Sequence, residues 1–269
     1  MEDQYIRTED GAICYRVIKN KGKTIVFIHG GGSSLSSWEF IYPFFHKKGF
    51  NIILIDLRGH GKSLRSENWY DYRLEKHAQD IAKILAKEKI KKAILVGHCL
   101  GGMIGITFAF LYPDKVENLI LVNPGINNKS FFFNSFTKTF VIFLYSLMRI
   151  FPLKTIYSIS YRVDYKPFQR SHDFSPFRLF EDLKSTGIVS VLSQTQAFFE
   201  WQGEQYYKNI NIPTLIIGGK KDVVFNIHVS EIIKKLLKNS TLKIINTSHT
   251  AVINNPKEIK NAIYHFISH

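Results

Sequence analysis

Short apolar runs alternate with longer amphipathic segments along most of this chain of 269 residues. Continuous runs of Val, Ile and Leu are typical of parallel strands that are buried on both faces. Residues 72–89 instead carry Leu74, Ala78, Ile81 and Leu85 at the spacing of one helical face. Strands that alternate with helices over short loops predict an α/β fold, with a mostly parallel central sheet and helices on both faces.

The same pattern predicts the individual elements. Pro43 lies inside a helix-like segment and is expected to kink or split it. The predicted strands are residues 6–8, 13–17, 24–28, 51–55, 93–96, 118–122, 214–217 and 242–245, and the predicted helices are residues 37–48, 72–89, 100–111, 227–237 and 256–267.

One segment breaks the alternation, because residues 124–212 contain no strand-like run followed by a glycine turn. It is aromatic and basic, and residues 127–170 hold seven Lys or Arg but a single acid, Asp164. Apolar residues recur there at steps of three or four, so one helical face is almost wholly hydrophobic. This face would either line a ligand pocket or pack the segment onto the rest of the domain. The stripe consists of Phe132, Phe136, Phe140, Phe143, Leu147 and Phe151.

A sharp turn is predicted at residues 97–102, Gly-His-Cys-Leu-Gly-Gly, between an apolar strand and an apolar helix. Gly97 and Gly101 flank its apex, where a Cβ atom would collide with the bent backbone. The turn places Cys99 at a helix N-terminus, where backbone N–H groups and the helix dipole favour a thiolate or an oxyanion. Taken alone, the string also fits a buried cysteine in a glycine-rich turn.

This strand, turn and helix resemble the nucleophile elbow of the α/β-hydrolase family, Gly-x-Ser-x-Gly, with Cys99 in place of the usual serine. In that family the nucleophile, the acid and the base follow one another along the chain. Asp222 and His249 each follow a late strand-like run. The resemblance therefore implies a catalytic triad of Cys99, Asp222 and His249.

The family also stabilises an oxyanion with two backbone N–H groups. The resemblance assigns these donors to Leu100, directly after the predicted nucleophile, and to Gly31 in the run His-Gly-Gly-Gly. Because three glycines are adjacent there, Gly30 and Gly32 stay open as alternatives to Gly31.

The aromatic segment resembles the helical cap that α/β-hydrolases insert between their sixth and seventh strands. We place this cap at residues 126–210 and the hydrolase core at residues 1–125 and 211–269. Phe140, Phe143 and His172 are candidate substrate contacts in the cap.

The net charge of +14 would suit an anionic partner, but the lysines are scattered and no nucleic-acid motif accompanies them. We therefore expect no nucleic-acid partner, and a weak contact with an anionic membrane surface stays open because basic residues lie beside aromatic ones. Cys14 and Cys99 give no disulfide framework, and the chain opens with acidic residues rather than a signal pattern. Both features favour the cytoplasm, and the sequence does not specify an oligomeric state.

Together these features predict a hydrolase that acts on a small-molecule carboxylic ester or thioester through a covalent acyl-Cys99 intermediate. No metal-ligand spacing or dinucleotide motif occurs, so no metal and no organic cofactor are expected. Two alternatives stay open. One is an acyltransferase or polyester-synthase-like enzyme that uses the same acyl-cysteine, and the other is a homologue that binds a ligand with little or no turnover.

Overall fold

The computed structural model describes residues 2–126, 139–140, 142–144, 146–147, 160–169, 171 and 173–268. The strands in this part of the chain are β1 (Gln4–Thr8), β2 (Gly11–Ile18), β3 (Thr24–Ile28), β4 (Asn51–Ile55), β5 (Ala93–His98), β6 (Val116–Val122), β7 (Thr214–Gly219) and β8 (Ser240–Ile245). They form one sheet in the order β1-β2-β4-β3-β5-β6-β7-β8. β2 pairs antiparallel with both β1 and β4, and the other neighbours pair in parallel. The predicted α/β class with a mostly parallel sheet is confirmed.

Helices flank this sheet. They are α1 (Tyr42–Lys47), α2 (Leu74–Lys87), α3 (Leu100–Leu111), α4 (Pro176–Thr186), α5 (Ile188–Glu200), α6 (Gly203–Lys208), α7 (Ile227–Leu236), α8 (Ala251–Asn254) and α9 (Pro256–Ser268). Among the helices in the described ranges, none combines the length and the apolar character that a bilayer crossing requires.

Two hydrophobic cores lie on opposite faces of the sheet. Because successive side chains of a strand point to opposite faces, β3 contributes to both cores. Val26 and Ile28 belong to the core that α2, α3 and α7 cover, whereas Ile25 and Phe27 belong to the core that α1 and α9 cover. Strands buried on both faces explain the unbroken Val, Ile and Leu runs in the sequence.

The helix predicted around Pro43 is divided in two in the structure. A 3-10 helix at Leu35–Trp38 and α1 replace the single helix predicted at 37–48. Pro43 occupies the first turn of α1, where a missing N–H breaks no helical hydrogen bond. The expected split is therefore confirmed, and α1 begins at Tyr42, directly before Pro43.

The cap segment joins β6 to β7, and its described part contains α4, α5 and α6. A buried charge contact ties it to the core, since Arg162 donates from Nε to Asp56 Oδ2 at 2.8 Å. Ser36 Oγ donates to the carbonyl of Val163 at 2.7 Å. These contacts hold the beginning of the described cap against the loops at the carboxyl end of the sheet.

Candidate functional site

A sharp turn between β5 and α3 carries Cys99. The residue has a φ of 52° and a ψ of −115°. L-residues rarely adopt this backbone conformation, and those that do are often found at functional sites. A Cβ on Gly97 would collide with the backbone of Gly101, and a Cβ on Gly101 would collide with the carbonyl of Ile28. The two glycines therefore permit the turn that the sequence predicted and place the Cys99 thiol above the sheet end.

His249 lies in the loop after β8 and Asp222 lies in the loop after β7, both beyond the carboxyl ends of parallel strands. His249 Nδ1 and Asp222 Oδ2 are 2.8 Å apart, so the ring N–H donates to the carboxylate. The other oxygen, Asp222 Oδ1, accepts the backbone N–H groups of Val224 and Phe225 at 2.8 and 2.9 Å. This carboxylate is buried and fixes both the orientation and the tautomer of the imidazole.

The Cys99 side chain lies close enough to the His249 ring to act on its charge, and both residues line the same cavity. Burial of the ring opposes its charged form, but the negative charge of Cys99 and the hydrogen bonds to Asp222 and Cys99 outweigh it. Together they raise the pKa of His249 to about 10. The arrangement therefore favours a charged imidazolium beside Cys99, a setting suited to a cysteine nucleophile. The structure brings Cys99, His249 and Asp222 together as the sequence predicted.

Two further side chains, which the sequence analysis did not single out for this role, hold the loop of His249. His98 Nε2 donates to the His249 carbonyl at 2.8 Å, and Asn123 Nδ2 donates to the same oxygen at 2.9 Å. Burial lowers the pKa of His98 to about 3, so this ring stays neutral and keeps its hydrogen-bonding role. The one local signal for Asn123 is its position at the carboxyl end of β6, directly before Pro124.

The glycine loop, residues 30–33, lies next to Cys99. Gly32 N–H donates to His60 Nε2 at 3.1 Å, and this bond occupies the N–H of one alternative oxyanion donor. Gly31 and Leu100 both line the cavity into which Cys99 opens. Their backbone groups thus lie in the same cavity as the thiol.

This cavity, of about 500 Å³, lies between the carboxyl end of the sheet and the cap. Its wall is mostly apolar, with Met103 from α3, Leu183 from α4 and Val191 and Phe198 from α5 among the lining residues. A cavity of this size and character suits a small ligand with a substantial hydrophobic part. Cys99 and His249 are both lining residues, so such a ligand would contact the thiol and the imidazole.

Two of the three candidate substrate contacts do not join this group. Phe140 and Phe143 are 51% and 59% exposed and are not among the residues that line the cavity. His172 lies outside the described residues. Among the described residues of the segment 126–210, α4 and α5 supply most of the cavity lining. No cluster of three or more metal-binding side chains occurs among the residues that the structure describes.

Comparison with known proteins identifies the family. A family model described as the alpha/beta hydrolase fold matches residues 23–156. A pimeloyl-(acyl-carrier protein) methyl ester esterase from Wigglesworthia glossinidia brevipalpis is 30% identical over 278 residues, covering 94% of this chain and 96% of that protein. The protein belongs to the α/β-hydrolase fold family.

Other relatives agree with this assignment. The AB hydrolase superfamily protein YisY from Bacillus subtilis is 25% identical, and the match covers 97% of this chain and 98% of YisY. An esterase from Exiguobacterium antarcticum superposes with a TM-score of 0.77 at 20% identity, covering 100% of both chains. An enol-lactonase from Burkholderia xenovorans superposes with a TM-score of 0.78 at 18% identity, covering 99% and 100%. At these identities the two solved structures show the fold alone.

Proposed function

We propose that the protein hydrolyses carboxylic esters or thioesters, with Cys99 as the nucleophile, His249 as the base and Asp222 as the orienting acid. One observation carries the proposal: the His249 ring, hydrogen-bonded to the buried Asp222 carboxylate, lines the same apolar cavity as Cys99. The Wigglesworthia relative is a methyl ester esterase, and this similarity supports the same reaction class.

Acylation begins when the Cys99 thiolate attacks the carbonyl carbon of the bound ester. A C–S bond forms and the carbonyl π electrons move onto oxygen, giving a tetrahedral oxyanion. When this intermediate collapses, the C–O bond to the leaving alcohol breaks. His249 then gives its proton to the departing oxygen, and the acyl group remains on Cys99 as a thioester.

Deacylation uses the same imidazole in its neutral form. His249 takes a proton from a water molecule as that water attacks the thioester carbonyl. The second tetrahedral intermediate collapses with cleavage of the C–S bond, releasing a carboxylic acid and returning the thiolate–imidazolium pair. Asp222 accepts the Nδ1–H bond throughout and stabilises the charged ring.

The oxyanion of both intermediates is assigned to the backbone N–H groups of Leu100 and Gly31. Leu100 is the first residue of α3, where N–H groups have no helical partner. The bond from Gly32 to His60 favours Gly31 over Gly32 as the second donor. We further propose that residues 126–210 form the cap of this enzyme, because α4 and α5 supply much of the cavity wall.

Steady-state hydrolysis of p-nitrophenyl esters from acetyl to octanoyl, with mass spectrometry of the trapped acyl-enzyme, tests the proposal. We expect Cys99→Ala and His249→Ala to lower kcat by at least about a thousandfold in folded protein. Cys14→Ala is the matched control and should keep wild-type turnover. If the apolar wall binds the acyl chain, kcat/KM should rise several-fold for each pair of added carbons, since each buried CH₂ contributes about 0.8 kcal/mol.

Undiminished turnover in folded Cys99→Ala would contradict the proposal, as would an acyl group found on another residue. An added alcohol that diverts the product to a new ester would instead identify an acyltransferase with the same nucleophile. A protein that binds ester analogues without any turnover would be a ligand-binding homologue.

A further inference from the structure

The cap residue Asp173 holds the loop that presents His249. Its Oδ2 accepts the backbone N–H of His249 at 2.8 Å, and its Oδ1 accepts the backbone N–H of Thr250 at 3.0 Å. Thr250 Oγ1 donates to the same Oδ1 at 2.8 Å. Burial favours the neutral acid, but the hydrogen bonds from Thr250 and His249 outweigh it and lower the pKa of Asp173. A charged carboxylate from the cap thus binds the two backbone N–H groups at His249 and Thr250.

Four more side chains continue from Asp173 across the cavity wall. Arg178 donates from Nη2 to the backbone carbonyl of Asp173, and its Nη1 lies 3.4 Å from Asp182 Oδ2. The Tyr165 hydroxyl donates to Asp182 Oδ1 at 2.8 Å and lies 3.1 Å from Ser33 Oγ. We call this set, from Asp173 through Arg178, Asp182 and Tyr165 to Ser33, the polar bridge.

The two ends of the polar bridge lie on the two loops that the proposed chemistry requires. Asp173 binds the histidine loop, residues 246–250, which carries the base. Ser33 belongs to the glycine loop, which contains the assigned oxyanion donor Gly31. All five members line the same cavity as Cys99. Because the loops follow different strands, their relative position depends on contacts such as these.

Two members of the polar bridge, Arg178 and Asp182, lie on the face of α4 where a soluble helix ordinarily buries apolar side chains. Arg178 and Asp182 are only 7% and 8% exposed, whereas Phe177 and Phe180 of the same helix are 80% and 64% exposed. Burying a charged pair costs more than burying hydrophobic residues of similar volume. Stability alone therefore does not explain why charged groups occupy the inner face, and a role in the site does.

We propose that the polar bridge sets the distance between the histidine loop and the glycine loop, so that Asp173 and Tyr165 are positioning residues for His249 and the oxyanion donors. The inference rests on the proposed function for its kinetic consequence. Its geometric consequence, the placement of His249 beside Cys99, can be measured without any ester.

Asp173→Asn and Tyr165→Phe test the two halves of the bridge. An Asn side chain has one oxygen and one NH₂, so it cannot accept both backbone N–H groups, and the histidine loop loses a hydrogen bond. We expect kcat to fall by about tenfold in each folded variant with KM changed less than twofold, as small misplacements of reacting groups produce. Asp164→Asn is the matched control, because Asp164 is an exposed carboxylate in the same segment and should leave both constants unchanged.

The second readout is the rate of iodoacetamide alkylation of Cys99 between pH 5 and 9, which reports the thiolate that His249 stabilises. We expect Asp173→Asn to change this pH profile, whereas a merely structural loss would lower the melting temperature and leave the profile unchanged. Effects of Asp173→Asn and Tyr165→Phe on kcat should be non-additive in the double variant, since both substitutions loosen the spacing between the same two loops.

Wild-type alkylation profiles in both folded variants would overturn the inference, and so would additive effects on kcat. If wild-type protein hydrolyses no ester, the proposed function fails, but the alkylation profiles still decide whether the polar bridge positions His249. If Asp173→Asn does not fold, Tyr165→Phe gives the same readouts from the other end of the bridge.

Discussion

The two cysteines show how the environment of a residue decides its chemistry. Cys99 opens into the cavity beside His249, while Cys14 lies in β2 and is completely buried. Arg162 Nη2 lies 3.1 Å from the Cys14 sulfur, yet burial outweighs that contact and raises the pKa of the Cys14 thiol to about 11. Because the thiolate is the reactive form, the raised pKa makes Cys14 unreactive at neutral pH, whereas Cys99 is the cysteine that lines the cavity.

Iodoacetamide should therefore modify Cys99 in the folded protein and leave Cys14 unmodified. Peptide mass spectrometry after brief labelling at pH 7 would show this, with modification of both cysteines in denaturant as the control. Label on Cys14 alone in folded protein would contradict the assignment of the nucleophile.

The charge on Cys99 is also expected to act on its neighbour. Replacing Cys99 with serine removes the thiolate that favours the imidazolium, so the pKa of His249 should fall below its value of about 10. An NMR titration of the His249 Cε1–H signal measures this, and Cys14→Ala should leave the titration unchanged. An unaltered pKa in Cys99→Ser would mean that the thiol does not contribute to the charge of the ring.

At the scale of residues, the sequence was enough to predict that Cys99, Asp222 and His249 come together, because each follows a strand in the order of a known family. It was not enough for Asp173, which reaches the histidine loop from a segment more than seventy residues earlier. Neither a local pattern nor strand order predicts a contact across that separation.

At the scale of elements, the predicted bounds agree best with the structure for elements that are buried on both faces. The predicted bounds of β3, β4 and α3 match the structure, since each consists of a compact apolar run between glycine, asparagine or proline signals. The cap helices α4 and α5 had no such signal, because α4 buries Arg178 and Asp182 and exposes phenylalanine. Apolar residues thus lie on two sides of α4, since Phe177 and Phe180 are exposed while Leu179 and Leu183 line the cavity.

The turn at Cys99 offers a test at this scale. Gly101→Ala should unfold the turn or cost several kcal/mol, because the new Cβ would collide with backbone atoms of β3 that cannot move aside. Gly105→Ala lies in the same helix, where the nearest atom is the flexible end of the Leu119 side chain at 3.2 Å. We expect it to change stability by no more than about 1 kcal/mol, since the gain in helix propensity offsets the crowding.

Chemical denaturation with matched variants compares the two free energies of unfolding. Equal effects of the two substitutions would show that the turn is not constrained by its contact with Ile28.

On the scale of the whole molecule, four buried histidines make the stability of the folded protein depend on pH. Burial lowers the pKa of His29 to about 4 and that of His98 to about 3, and it lowers the pKa values of His60 and His77 well below the ordinary value. These rings are neutral in the folded protein at pH 5, whereas an unfolded chain binds protons below about pH 6.5. The folded state is therefore favoured above pH 6.5 and loses stability as the pH falls toward 4.

Each such ring contributes up to about 1.4 kcal/mol per pH unit to the slope of the unfolding free energy in that window. His77 lies inside α2 away from the cavity, and burial together with the charge of Arg58 lowers its pKa. We expect His77→Leu to reduce the slope between pH 5 and 6.5 by about one proton, so that the variant resists acid better than wild type. Urea denaturation at several pH values gives this slope directly. Gln79→Leu, at an exposed and non-titratable position of α2, is the control and should leave the slope as it is. A wild-type slope in folded His77→Leu would mean that His77 is protonated to the same extent in the folded and unfolded states, and that acid destabilises this fold through its other groups.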